Sequence, residues 1–361
     1  MTAPVLIMAG GTGGHVFPAL AVARALREQR REVVWLGTRR GIESRLVPAA
    51  GIPVEWIEIE GLRGSGAGRW LAAPVRLARA LLQALAVLRR LRPGVVLGCG
   101  GFVSGPGGLA AWLTRTPLVI HEQNAVAGMT NRWLSRLAHT VAEAFEGSFG
   151  AGRPTVVTGN PVRREIESLP APAERFAGRS GPLRLFVFGG SQGAAALNRI
   201  VPQALARLPA DERPAVLHQA GERGAGETAA RYRELGVEAD VRAFVDDMAG
   251  AYAQADLVIS RAGALTVSEL AAAGLGAVLV PFPAAVDDHQ TRNAGRLVEA
   301  GAAVACAESA LTPESLAGEL RRLLGGGRAP LLAMAEAARS LAVTDVGARL
   351  AALCLAAEAG R

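Results

Sequence analysis

Residues 257–274 read LVISRAGALTVSELAAAG. An apolar run, Leu257–Ile259, ends in small residues around Gly263, and an Ala/Leu-rich helical run follows from about Leu265 to Ala273. A strand that stops at such a turn and restarts as a helix leaves backbone N–H groups free at the helix's first turn. With the positive end of the helix dipole, those donors make a seat for a phosphate. Arg261 adds a fixed positive charge beside it, Thr266 can donate a hydroxyl, and Glu269, one turn on, can accept hydrogen bonds from a ribose diol. The competing structural reading is a helix start closed by a Thr266–Glu269 capping box.

The same strand–small loop–helix pattern recurs along the chain. Pro4–Ala9 reads as a buried strand ending in GGTGGH (Gly10–His15), with a helix from about Val16 to Gln29 that tolerates Pro18 in its first turn. Val95–Leu97 runs into GCGGFVSGPGG (Gly98–Gly108), and Leu183–Phe188 into GGSQGA (Gly189–Ala194). Further strands are expected at Val33–Leu36, Val54–Ile59, Leu118–Ile120, Thr155–Val157, Ala215–Gln219, Val237–Ala243 and Ala277–Val280. TGNPVR (Thr158–Arg163) reads as a linker. Two successive halves of alternating strands and helices predict an α/β chain of two Rossmann-like, doubly wound parallel-sheet domains. Ligands in such sheets sit off the carboxyl ends of the strands, so the site is expected in a cleft between the domains.

Composition narrows the function. At 361 residues, half of them hydrophobic, the chain is long enough for two cores. No uninterrupted apolar run reaches the ~18 residues of a membrane span. MTAPVLIMAGGTGGH lacks a basic leader, so the chain reads as soluble and intracellular. Cys99, Cys306 and Cys354 lack metal or disulfide spacing and read as reduced thiols. All 39 basic residues are arginine, which excludes a Walker A lysine, a Schiff-base lysine and a kinase lysine. Residues 1–150 carry 17 Arg against 9 Glu and no Asp, or +8, whereas residues 151–361 are close to neutral. A basic first half implies an anionic partner. Nucleic acid is disfavoured, because aromatics are only 4% of the chain and no basic run is interleaved with them.

The glycine loops fit dinucleotide binding poorly. GTGGHV, from Gly11, has valine where the fingerprint's third glycine belongs, and no acid follows the second strand. Arg39 and Arg40 there suit a 2′-phosphate, which keeps an NADP-dependent oxidoreductase as an alternative. His15 stands at a helix N-terminus, where the dipole favours the neutral imidazole a general base needs. HEQN (His121–Asn124) places a histidine, an acid and two amides after a strand, so Glu122 and His121 are rival bases. Asp246–Asp247 and Asp287–Asp288 are adjacent rather than spaced, so no metal site is predicted, and one of the first pair is expected to cap a helix at Met248.

Trp70–Leu91 predicts a long helix with two apolar stripes. Leu77, Leu81, Leu85 and Leu88 suit packing on the sheet. Leu71, Val75, Ala78 and Leu82, flanked by Arg69, Arg76 and Arg79, with Trp112 in the helix after the second glycine loop, suit an anionic membrane surface.

GGTGGHVFPALAVA, VLGCGGFVSGPGGLAAW, HEQNAVAG, GNPVR, GGSQGA, FVDDMAGAYAQADLVISRAGALTVSELAAAG and VPFP…DDHQTRNA occur in one order over nearly the whole chain. Together they closely resemble the MurG family of bacterial peptidoglycan glycosyltransferases. The resemblance implies a GT-B fold with residues 1–160 and a C-terminal helix (about 341–361) forming the acceptor and membrane-facing domain, and residues 161–340 binding the donor. It implies inverting transfer of N-acetylglucosamine (GlcNAc) from UDP-GlcNAc to the MurNAc C4 hydroxyl of lipid I, giving lipid II, at the cytoplasmic face of the inner membrane. No cofactor or obligatory metal is implied. The implied partners are UDP-GlcNAc, lipid I, the anionic membrane surface and other cell-wall synthesis proteins. Carried over position by position, Ser191 and Gln192 meet the diphosphate and sugar with the Ala264, Leu265, Thr266, Val267 and Ser268 segment. Val245 lies against uracil, Glu269 holds the ribose, Gln290 holds the GlcNAc hydroxyls and Asn293 supports it. Arg163 and Asn124 reach the donor, and Thr12, Gly13, Gly14 and His15 face the reacting centre. Phe102 stands where the family pattern has tyrosine, and His289 where some members carry glutamine. A GT-B enzyme with another acceptor, and a non-catalytic nucleotide-sugar or lipid-binding protein, remain as alternatives.

Overall fold

The computed structural model describes residues 2–59, 73–190 and 193–360. The chain forms two compact units, Met1–Val162 with Val343–Arg361, and Arg163–Ala342.

The first unit is built on a parallel sheet of β1 (Val5–Met8), β2 (Val33–Gly37), β3 (Val54–Trp56), β4 (Val95–Gly98), β5 (Leu118–Glu122), β6 (Thr140–Glu143) and β7 (Val156–Val157), in the order β3-β2-β1-β4-β5-β6-β7. Its central strands are continuous apolar runs because both faces are covered. Val5 and Ile7 face a core shared with the Gly13–Glu28 and Val346–Ala359 helices, and Leu6 and Met8 face one closed by the Ala73–Leu91 and Ser104–Leu113 helices. The C-terminal helix thus belongs to this first core, where Leu350 and Cys354 are fully buried and Glu358 pairs with Arg31 at 2.7 Å. Burial pushes the Cys99 thiol up and that of Cys354 to about 12, so both are inert.

The second unit repeats the plan with β8 (Arg184–Phe188), β9 (Ala215–Gln219), β10 (Asp240–Arg242), β11 (Leu257–Ser260), β12 (Ala277–Leu279) and β13 (Ala303–Ala305), all parallel, ordered β10-β9-β8-β11-β12-β13. In each sheet the order reverses beside the first strand, at β1/β4 and at β8/β11. Two loops therefore leave adjacent strand ends at each switch point, where ligands bind in such sheets.

Several boundaries differ from the sequence reading. The first helix begins at Gly13, not Val16, so Gly13, Gly14 and His15 form its first turn and Pro18 lies a turn deeper. β5 runs on through His121 and Glu122, which are therefore strand residues. β6 and β13 are not among the strands expected from the sequence. Asp247 caps the Met248–Gln254 helix through Gly250 N at 2.8 Å.

Candidate functional site

In the first unit, the loops after β1 and β4 meet so closely that a Cβ on Gly101, at φ +81°, would lie 2.3 Å from the Gly10 carbonyl oxygen. Only glycine permits that approach. Buried beneath the β1 loop is a residue the sequence reading did not single out. Glu43 accepts from Gly11 N and Thr38 N, each at 3.0 Å, and from the Thr38 hydroxyl at 2.7 Å. It ties the turn after β2, at Thr38, to GGTGGH, and its bond to Gly11 spans 32 residues that no local pattern links. Gly10, Gly11, Thr38, Arg40, Glu43 and Phe102 line a cavity of about 220 Å³.

His15 lies against Gly100 of the β4 loop, its Nδ1 3.1 Å from Gln123 Oε1. The other two HEQN candidates are committed elsewhere. His121 is fully buried, its Nε2 3.0 Å from the Gly159 carbonyl, and burial lowers its pKa to about 4. Glu122 is 2% exposed. One of its oxygens accepts from Asn124 N and Nδ2, and the other from Gly128 N and Asn131 Nδ2 at 3.1 and 2.9 Å. It anchors the loop that carries Asn124.

In the second unit, the Ala264–Ala273 helix starts after Gly263 with no side-chain cap. The Thr266–Glu269 capping box is not formed, so the first-turn N–H groups stay available. Arg261 departs from expectation. Its guanidinium pairs with Glu308, donates to the Val280 and Pro281 carbonyls and lies 5.3 Å over the Phe282 ring. It clamps the loop after β12, and its charge is neutralised there rather than offered to a phosphate. Gln290 Oε1 accepts from Ala262 N and Phe282 N at 3.2 and 2.9 Å, and buried Asn293 donates to the Ala262 carbonyl at 3.2 Å. These two side chains fix the turn that precedes the helix.

Glu269 is held between two partners far from it in sequence. Arg163 donates through Nη2 and Nε at 3.0 and 3.3 Å, and the Tyr252 hydroxyl donates at 3.0 Å. Burial pushes the Glu269 carboxyl above its ordinary value, with Arg163 and the Tyr252 hydroxyl opposing. Tyr252 is itself buried edge-on against Phe186 and Phe188. Ser268 bonds back to the Ala264 carbonyl, and Val267 is core. Val245 is also buried, with its N–H 2.8 Å from Gln219 Oε1, while the adjacent Phe244 is half exposed. Gln219 Nε2 in turn donates to the Gly190 carbonyl, joining the β8 and β10 loops, another link the sequence did not suggest. Ser191 and Gln192 lie outside the described residues.

The surface helix Ala73–Leu91 buries Ala80, Ala84, Val87 and Leu88 and leaves Val75 and Leu82 exposed. Leu77, expected on the sheet-facing stripe, is exposed, because the helix's first turns extend past the core. Arg79 pairs with Glu58 at 3.0 Å. Trp112 is exposed on the neighbouring Ser104–Leu113 helix, and Met129 and Trp133 on the Met129–Leu134 helix beside that. Leu71 lies outside the described residues. Among the described residues no helix is long and apolar enough to cross a membrane.

One prediction concerns stability. His218, buried between Asn198 and Tyr232, is held like His121 at a pKa of about 4 by burial. Below the ordinary 6.5 the unfolded chain takes up protons that these folded residues refuse, so stability falls as pH drops from 6.5 toward 4. Each site should cost about 2 kcal/mol by pH 5. With one such histidine in each unit, calorimetric melting of both units should come at lower temperature at pH 5 than at pH 7. A melting temperature flat across that range would contradict the buried neutral histidines.

Two parallel sheets of this order, each with paired loops at its switch point, define a GT-B glycosyltransferase. Residues 5–143 match the glycosyltransferase family 28 N-terminal domain and residues 184–350 its C-terminal domain. The chain is 58% identical over 355 residues, 98% of either protein, to the UDP-N-acetylglucosamine–N-acetylmuramyl-(pentapeptide) pyrophosphoryl-undecaprenol N-acetylglucosamine transferase of Marinobacter nauticus. Crystalline Acinetobacter baumannii MurG superimposes with a TM-score of 0.85 at 43% identity, covering 98% of this chain and 99% of that one. The calicheamicin glycosyltransferase CalG4, at 18% identity and a TM-score of 0.69 over 100% of this chain and 99% of its own, shares the fold. The chain belongs to the MurG family, the glycosyltransferases that move GlcNAc onto lipid I to make lipid II. The oxidoreductase alternative falls with that membership, and Arg39, offered to a 2′-phosphate, lies instead over the Trp56 ring.

Proposed function

We propose that this chain transfers GlcNAc from UDP-GlcNAc to the MurNAc C4 hydroxyl of lipid I, with inversion, at the cytoplasmic face of the inner membrane. The observation that carries the reading is the division of labour between the units. The second holds an uncapped helix terminus beside a carboxylate, and the first holds a histidine seated against the Gly100 backbone and hydrogen-bonded to Gln123. The first-turn N–H groups of Ala264, Leu265 and Thr266, with the Thr266 hydroxyl, take the diphosphate and stabilise the charge that builds as UDP leaves. Glu269 takes the ribose diol, exchanging or sharing its Arg163 and Tyr252 partners. Phe244, rather than the buried Val245 side chain, offers a face to uracil. Ser191 and Gln192 remain assigned to the diphosphate and sugar, with Gln290 Nε2 on the GlcNAc hydroxyls. On the acceptor side His15 takes the C4 hydroxyl proton as the new bond forms at the anomeric carbon. Thr12, Gly13 and Gly14 give that reaction backbone room. Incubating the protein with UDP-GlcNAc and a short-chain lipid I analogue should release UDP only when both are present. UDP release indifferent to the acceptor would overturn the reading.

Membrane docking is assigned to the exposed face carrying Val75, Leu82, Arg76 and Trp112, extended by Trp133. An apolar patch among arginines binds lipid by partial burial and by attraction to acidic headgroups. Replacing both Val75 and Leu82 with Glu should abolish sedimentation with acidic liposomes and leave transfer to a soluble short-chain acceptor nearly unchanged. Sedimentation at the wild-type level would place the contact elsewhere.

A further inference from the structure

We infer that Gln123 is a positioning residue that fixes His15 in its Nδ1–H tautomer and thereby leaves Nε2 bare to receive the acceptor's proton. The inference deepens the assignment of His15 as base and rests on it for its catalytic half.

The Gly159 carbonyl only accepts, so His121 Nε2, 3.0 Å away, carries the hydrogen. His121 is fully buried and neutral, so its Nδ1 is a lone pair. Gln123 Nε2 lies 3.2 Å from that Nδ1 and 3.3 Å from the His121 carbonyl oxygen. Both are acceptors, so the amide cannot turn over without setting its own oxygen against two lone pairs. Gln123 Oε1 therefore faces His15 Nδ1 at 3.1 Å, and since that oxygen only accepts, Nδ1 carries the hydrogen. In neutral His15 the lone pair is then on Nε2, which has no hydrogen-bond partner among the described residues. Free histidine prefers the opposite tautomer, with the proton on the nitrogen that a base must keep empty. Which nitrogen is protonated is set by what the other one meets.

Both ends of the relay are tied down by the TGN segment. Asn160 Nδ2 donates to the Gln123 carbonyl at 2.9 Å, and Gly159, at φ +82°, presents its carbonyl where a Cβ would meet Val343 at 2.8 Å. On the other flank a Cβ on Gly100 would lie 2.8 Å from His15 Nδ1, so the ring seats against bare backbone. The stretch read as a mere linker is the anchor of the relay.

Ring-nitrogen NMR on protein carrying 15N-labelled histidine tests this directly, since five histidines can be assigned by single substitution. The wild type should show neutral His15 as Nδ1–H, and Q123L should shift it toward Nε2–H. Turnover of Q123L should fall roughly 10- to 100-fold with the UDP-GlcNAc KM unchanged. A wild-type His15 in the Nε2–H form, or the same tautomer in Q123L as in wild type, would overturn the inference. An Nδ1–H tautomer beside an H15A variant of normal turnover would uphold Gln123's control of the ring and overturn only the assignment of His15 as base.

Discussion

Replacing His15 with alanine should lower kcat by roughly 10²–10⁴-fold while leaving UDP affinity at the wild-type value. The size follows from what a positioned base contributes to deprotonating an alcohol that is a poor nucleophile at neutral pH. The selectivity follows from the fold, because His15 opens the first helix of one unit, while the uncapped Ala264–Ala273 helix and Glu269 belong to the other. Neither rival base can take over easily. Both Glu122 oxygens are occupied by four donors, and His121 is fully buried with Nε2 bound to the Gly159 carbonyl. The measurement is steady-state transfer beside calorimetric UDP titration of the same preparation. Near-normal turnover would remove His15 from the chemistry, and a parallel loss of UDP binding would show a structural defect.

Glu269→Ala should weaken UDP binding by roughly 30- to 1,000-fold, since losing charge-assisted hydrogen bonds to a diol costs about 2–4 kcal/mol. That carboxylate is held by Arg163 and Tyr252, which orient it, and in the proposed site they yield or share it when a ribose arrives. Tyr252→Phe removes one orienting bond and keeps the charge, so its effect should be smaller, about 1 kcal/mol. Isothermal titration with UDP and with uridine separates the ribose contribution from the phosphate one. If Glu269→Ala bound UDP as the wild type does, the ribose assignment would be wrong.

The sequence was most readable where the physics is local. Continuous apolar runs followed by glycine loops announce buried parallel strands and their switch-point turns, and β1, β4, β8 and β11 fall close to where those patterns stood. β6 (TVAE) and β13 (AVA) carry no run of large apolar residues ending in a glycine loop, and pairing with their neighbours defines them. The site was readable by residue type but not by partnership. Arg163 and Glu269 stand 106 residues apart, so nothing along the chain reveals that they hold each other. Arg261 sits where a phosphate-binding charge belongs, yet Glu308 captures it. Glu43 and Gln219 carry no signal, and Gln123 stands out only as one of the two HEQN amides, because an acid or amide that organises distant backbone looks, in sequence, like any other polar residue.

The central claim is that this chain attaches GlcNAc to the C4 hydroxyl of lipid I with inversion. The most direct test is the structure of the product formed from 13C-labelled UDP-GlcNAc and a short-chain lipid I analogue, read by NMR at the new glycosidic linkage. A single β-linked GlcNAc on the MurNAc C4 oxygen is the predicted result. An α linkage, attachment at another hydroxyl, or free GlcNAc in place of the disaccharide would contradict it.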